Sequence, residues 1–133
     1  MGAHLHLIGP LSIDLSAQAV KRAGLDYWDS LRLSVYDTPE DFLAWLAHRQ
    51  PWLVSKRGSL RYDRVPFQKH DVLIFGNEVT GLPEAWHQRW PNRVVSVPIL
   101  GPIRSYNLAN TAAIVMAQCC LTAGLYEDGA NPT

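Results

Sequence analysis

Cysteine is scarce in this sequence: two among 133 residues, and the two are neighbours, Cys119 and Cys120. Adjacent side chains on a helix diverge by about 100°, so they are not expected to bond to each other, and no third thiol exists. Two free thiols suit a reducing cytoplasm. An excess of one charge is missing too. Twelve basic residues meet twelve acidic ones, which excludes a global field drawing the chain to nucleic acid or membrane. Any such surface has to be local. No apolar run approaches the roughly 18 residues of a membrane span, and no signal-peptide pattern opens the chain. The expected location is the cytoplasm, with no membrane partner. Also absent are G-x-G-x-x-G behind a strand, G-x-x-x-x-G-K-[ST] and G-x-S-x-G, so dinucleotide, P-loop and serine-hydrolase chemistry lose their main support. His4 and His6 share one side of a strand, but no third ligand accompanies them and no metal is expected. His48, His70 and His87 are scattered and read as surface residues.

What is present is a chain of ordinary globular composition, 47% hydrophobic and 18% charged, long enough for one domain with its own core. Residues 4–9, "HLHLIG", alternate as a strand does, and Leu31–Tyr36 form a second. Ser16–Gly24 reads as a short helix between a capping serine and a closing glycine. "TPEDFLAWLAHR" is a clear helix start: Thr38 as N-cap, Pro39 at the first position, Glu40 and Asp41 in the first turn. Phe42, Trp45 and Leu46 are expected on its buried face. Further strands are expected at Trp52–Ser55, Asp71–Gly76 and Val94–Pro98, with helices at Leu82–Trp90 and Leu108–Ala123. Strands alternating with helices imply an α/β domain with a mostly parallel sheet. In such sheets ligands bind beyond the carboxyl ends of the strands, which singles out the loops after Val54, Phe75 and Val97.

Two of those loops carry distinctive residues. "FGNEVTGLP" (Phe75–Pro83) puts Gly76 at a strand end, where a ligand can approach the backbone, and Gly81 where a turn can take φ > 0. Taken alone it is equally an ordinary strand-to-helix turn. "VPILGPIRSYNLANTAAIVMAQCCLTAGL" (Val97–Leu125) runs from a short apolar strand through a polar knot of residues into a helix with almost no polar face. Arg104 and Ser105 precede that helix, where free N–H groups can hold a carboxylate or phosphate. Plain capping by Ser105 or Asn107 explains the same residues. A third segment, Ser55–Lys69, holds Lys56, Arg57, Arg61, Arg64 and Lys69 against Asp63 alone. With Tyr62 and Phe67 interleaved it suits phosphate contact and base stacking, or it is a solvated loop.

In order and spacing, "FGNEVTGLP" followed by "VPILGPIRSYNLANTAAIVMAQ" resembles motifs two and three of the SPOUT family of RNA 2′-O-methyltransferases. "HLHLIGPL" and "KRAGLDYW" upstream narrow the resemblance to its TrmL-like branch, and it spans residues 4 to about 125. The resemblance implies an α/β fold with a C-terminal trefoil knot, a rare exception to unknotted chains. It implies S-adenosyl-L-methionine as cofactor, with S-adenosyl-L-homocysteine as product. It also implies a tRNA wobble ribose as acceptor, and a homodimer through the last helix. That helix is apolar all round and needs cover beyond what one small subunit provides. Carried over by position, Val54, Gly76, Val97, Ser105 and Leu108 would bind the cofactor. Glu78 and Arg104 match the acid of motif two and the polar end of motif three, and are the catalytic candidates. Asn107 matches that polar end too, and Asn110 would hold the knot together. RNA contact falls to Lys56, Arg57, Arg61 and Arg64.

The family's motif one, an N-T-G-N-I-x-R-like stretch after a further strand, has no counterpart in these residues. The expected organisation is residues 1–125 as a SPOUT domain without that strand and motif, and 126–133 as a flexible tail. Such a chain is expected to retain cofactor affinity while transferring methyl groups poorly, with the edge of the strand at residues 4–9 left open. Two other functions compete: a knotted cofactor- or RNA-binding protein without catalysis, and a flavodoxin-like module for a small phosphorylated ligand.

Overall fold

A computed structural model describes residues 3–9, 32–77, 80–102 and 107–129. The chain divides into two units, Gly2–His48 and Arg49–Thr133. In the first, β1 (Leu5–Ile8) pairs in parallel with β2 (Leu33–Tyr36), Leu5 opposite Leu33 and Ile8 opposite Tyr36. Helix α1 (Pro39–Leu46) starts as its sequence directs: Thr38 accepts a hydrogen bond from the Asp41 N–H at 3.2 Å, Pro39 needs no N–H partner, and Glu40 and Asp41 face the helix's positive end. Phe42 and Leu46 are buried. Trp45, expected beside them, remains 36% exposed and lies against His6, ring centroids 4.4 Å apart.

Both strand histidines are used structurally. His4 stacks on His6 at 4.3 Å. His4 Nε2 shares a hydrogen bond with Ser34 Oγ at 2.8 Å, and His6 Nδ1 with the Tyr36 hydroxyl at 3.0 Å. Among the described residues no cluster of three metal-ligating side chains occurs, and no helix is long and apolar enough to cross a membrane. The helix expected at Ser16–Gly24 lies outside the described residues.

The second unit is built on a four-stranded sheet in the order β4-β6-β3-β5: β3 (Trp52–Val54), β4 (Leu60–Arg61), β5 (Leu73–Phe75) and β6 (Val94–Ser96). Every pairing is parallel, as strands joined through helices require. Helix α2 (Glu84–Arg89) connects β5 to β6. Helix α3 (Leu108–Thr122) follows β6, and α4 (Leu125–Gly129) carries the chain into the segment expected to be a tail. Trp52, Val54, Val65, Phe67, Val95 and Val115 form the core. Asp71 holds one edge of it, accepting from the Trp52 indole at 3.0 Å and from the Gln68 N–H at 2.8 Å. Arg93 lies over the Trp52 ring at 3.7 Å and donates to the Pro51 and Gln50 carbonyls.

Two sequence expectations change here. Ser55–Lys69, read as a basic loop, contains strand β4 and a 3-10 turn (Tyr62–Arg64). Two residues are too few to show strand periodicity. Phe67, assigned there to base stacking, is 2% exposed and packs edge-on against Trp52, so it cannot reach a base. The segments that would close a trefoil knot include residues 78–79 and 103–106, outside the described set.

Candidate functional site

All three loops singled out by strand topology border one cleft of about 600 Å³. It opens beyond the carboxyl ends of β3, β5 and β6, where a parallel sheet presents free peptide groups and loop side chains. Val54, Gly76, Val97 and Leu108, four of the five expected cofactor residues, line it together. The fifth, Ser105, lies outside the described residues, as do Arg104 and Glu78. Leu82, Ile99 and Phe75 add apolar wall, while Asn77, Asn107 and Thr111 add polar groups.

The loop from Gly76 to Leu82 is closed by its own hydrogen bonds. Asn77 Oδ1 accepts from the Thr80 N–H at 2.6 Å, and Asn77 Nδ2 donates to Thr80 Oγ1 at 2.8 Å. The Gly81 N–H returns to the Asn77 carbonyl at 3.2 Å, and Gly81 takes φ 70°, the conformation expected for it. Gly76 meets a requirement that its position in the sequence does not reveal. A Cβ there would meet the backbone of Gly81 and Leu82, with Leu82 N at 2.5 Å. The loop's own closure by itself excludes a side chain at Gly76.

On the other wall, β3 ends in a turn in which the Ser55 carbonyl accepts from the Gly58 N–H at 3.0 Å. This turn brings Lys56 and Arg57 to the cleft. Arg57 pairs with Glu84, and Arg61 pairs with Asp63 through bonds of 2.5 and 3.0 Å. Hydrogen bonding to these arginines holds the Glu84 and Asp63 carboxyls below their ordinary range. All four groups are exposed, so each pair contributes little to stability. At the start of α3, Asn107 supplies the cap, accepting from the Ala109 N–H at 2.8 Å.

His87 is a cleft residue that escaped sequence reasoning. His87, taken for a surface histidine, is 8% exposed and lines the cleft. Its Nδ1 lies 3.3 Å from the Pro83 carbonyl and its Nε2 lies 3.1 Å from Ser55 Oγ. A carbonyl only accepts, so Nδ1 carries the proton and Nε2 accepts from the serine hydroxyl in the neutral ring. The three-residue spacing from Glu84 was the available signal, placing both on one face of α2.

The SpoU rRNA Methylase family matches residues 1–117. A tRNA (cytidine(34)-2′-O)-methyltransferase of Methylovorus glucosotrophus is 38% identical over 116 residues, covering 86% of this chain and 75% of that protein. A structure solved in work on 2-OH methylation of C/U34 on tRNA superposes with TM-score 0.80 at 36% identity, over 90% of this chain and 78% of the other. At 24% identity, SpoU methyltransferase AviRb of Streptomyces viridochromogenes, in complex with the cofactor AdoMet, shares the fold with TM-score 0.71, over 96% of this chain and 52% of that one. Agreement of the motifs, the parallel sheet and the cleft at its strand ends with these matches has one outcome: the chain belongs to the SpoU rRNA methylase family.

Proposed function

We propose that this chain transfers a methyl group from S-adenosyl-L-methionine to the ribose 2′-hydroxyl of a tRNA, at the wobble nucleotide, position 34, leaving S-adenosyl-L-homocysteine. The observation that carries the reading is the meeting of Val54, Gly76, Val97 and Leu108 at one cleft, in a chain whose relative is named for that reaction. Family membership removes the flavodoxin-like alternative.

The cleft fits such a cofactor. Its volume of about 600 Å³ lies within the range of roughly 300–1,000 Å³ usual for small-molecule sites. Val54, Val97 and Leu108 offer apolar walls to an adenine, and strand-end peptide groups can bind its polar edge. Bound there, S-adenosyl-L-methionine supplies an electrophilic methyl group on a sulfonium centre. The chain's share is positioning: the 2′-oxygen has to be held in line within about 3–3.5 Å. A basic or cationic neighbour assists loss of the hydroxyl proton, and Arg104 and Glu78 are our candidates.

For the RNA we assign Lys56, Arg57, Arg61 and Arg64. Lys56 and Arg64 are exposed and enter no ion pair among the described residues, whereas Arg57 and Arg61 would exchange a carboxylate for a phosphate. The partner protein is a second copy meeting this one through α3, whose Leu121 is 60% exposed. Both cysteines are free, in keeping with work in the cytoplasm.

Calorimetry with S-adenosyl-L-methionine and S-adenosyl-L-homocysteine tests the cofactor, and label transfer from tritiated cofactor to unmodified tRNA tests the reaction. Binding without transfer would leave a binding protein without catalysis. Absence of both would end the reading.

A further inference from the structure

We infer that His87 is a positioning residue: through Ser55 it holds the turn at residues 55–58 in place as one wall of the cofactor cleft. This rests on the cofactor reading above. The turn has two anchors. At its far end, Gly58 presses on β6 so closely that a Cβ would lie 2.6 Å from Ser96 N. At its near end, Ser55 Oγ accepts from the Arg57 N–H at 3.2 Å while its hydroxyl reaches His87 Nε2 at 3.1 Å. The imidazole is itself fixed by the Pro83 carbonyl at 3.3 Å, one helical turn back. A continuous chain of hydrogen bonds thus runs from α2 to the backbone amide of Arg57.

Helix α2 meets this turn twice. Glu84 and His87, three residues apart on one face, take Arg57 and Ser55 respectively. The two contacts differ in strength for a physical reason. Arg57–Glu84 is exposed, at 59% and 58%, and water competes for both partners. His87 is 8% exposed, so water competes less for its side of the bond to the half-buried Ser55 hydroxyl. The histidine contact therefore governs the wall. Because α2 also follows directly on the Gly76–Leu82 loop, the same short helix ties two walls of the cleft together.

The test uses the full chain with His87→Leu, His87→Gln, Ser55→Ala and the Ser55→Ala/His87→Leu double variant. S-adenosyl-L-homocysteine affinity is measured by calorimetry, and amide exchange across 55–58 is measured without ligand. His87→Leu is expected to weaken binding about tenfold and to speed exchange at the Arg57 amide. Ser55→Ala should weaken binding similarly, and the double variant no more than either. His87→Gln, whose carbonyl can stand near the Nε2 position, should restore slow exchange and affinity to within about threefold. A lowered melting temperature with affinity and exchange at 55–58 both unchanged would overturn the inference, as would additive losses in the double variant. If the unmodified chain binds no S-adenosyl-L-homocysteine, the functional reading fails. The exchange data then still decide whether His87 holds the turn.

Discussion

Gly81 stands against Gly76 so closely that a Cβ built on Gly76 would lie 2.7 Å from the Gly81 Cα. Backbone packed on backbone cannot yield as a side chain can. Gly76→Ala is therefore expected to destabilise the chain by about 1–3 kcal/mol and to lower S-adenosyl-L-homocysteine affinity with it, because the loop that moves is a cleft wall. Urea denaturation and calorimetry check the pair. Affinity lost at full stability would return the explanation to direct contact with the ligand.

Phe67 and Arg64 share a segment but not a role. Phe67→Ala empties a core position beside Trp52 and should cost about 3–5 kcal/mol of stability. Arg64→Ala should leave stability nearly unchanged and weaken tRNA binding. Removing either Arg64 or Lys56 is expected to lower the salt dependence of tRNA affinity by about one unit of slope. Filter binding at several salt concentrations measures it, and an unaltered slope would take that residue out of the RNA surface.

Helix α3 separates two kinds of apolar residue. Val115 is 0% exposed within the subunit's own core, whereas Leu121 points outward. Leu121→Lys should give a folded monomer by light scattering, with Met116→Lys, on a half-buried position, acting in the same direction. Val115→Lys should instead unfold the protomer, since it buries an unpaired charge. A wild-type chain that stays monomeric at micromolar concentration would dispose of the dimer.

Burial, and secondarily the neighbouring His4, push the His6 imidazole below its ordinary value of 6.5. Well above 6.5 the ring is unprotonated in folded and unfolded chains alike and contributes no pH dependence. Below 6.5 the unfolded chain takes up the proton first, so stability falls as pH drops towards the folded value. His6→Gln should flatten this acid-side decline. Imidazole titration by NMR provides the direct reading, and a midpoint at or above the ordinary value would contradict it.

Much of the fold was legible because its evidence is local. Thr38, Pro39, Glu40 and Asp41 announce α1 within four residues, since capping and dipole effects act within one turn. The apolar runs ending at Val54 and Phe75 mark buried parallel strands for the same reason. The loops beyond them marked the cleft, because parallel strands bring their carboxyl ends together.

What sequence could not decide depends on partners distant along the chain. That Gly76 must also make room for the returning backbone of Gly81 and Leu82 shows only in the folded loop. Phe67 reads as an exposed aromatic among cations until Trp52, fifteen positions earlier, is found covering it. His87, unlike the exposed His48 and His70, is buried and meets Ser55, thirty-two residues away. Composition and periodicity marked the longer elements and where their ends gather, but not β4 or the 3-10 turn behind it. Burial and hydrogen-bond pairing, which belong to neighbours in space, were settled only when the sheet brought those neighbours together.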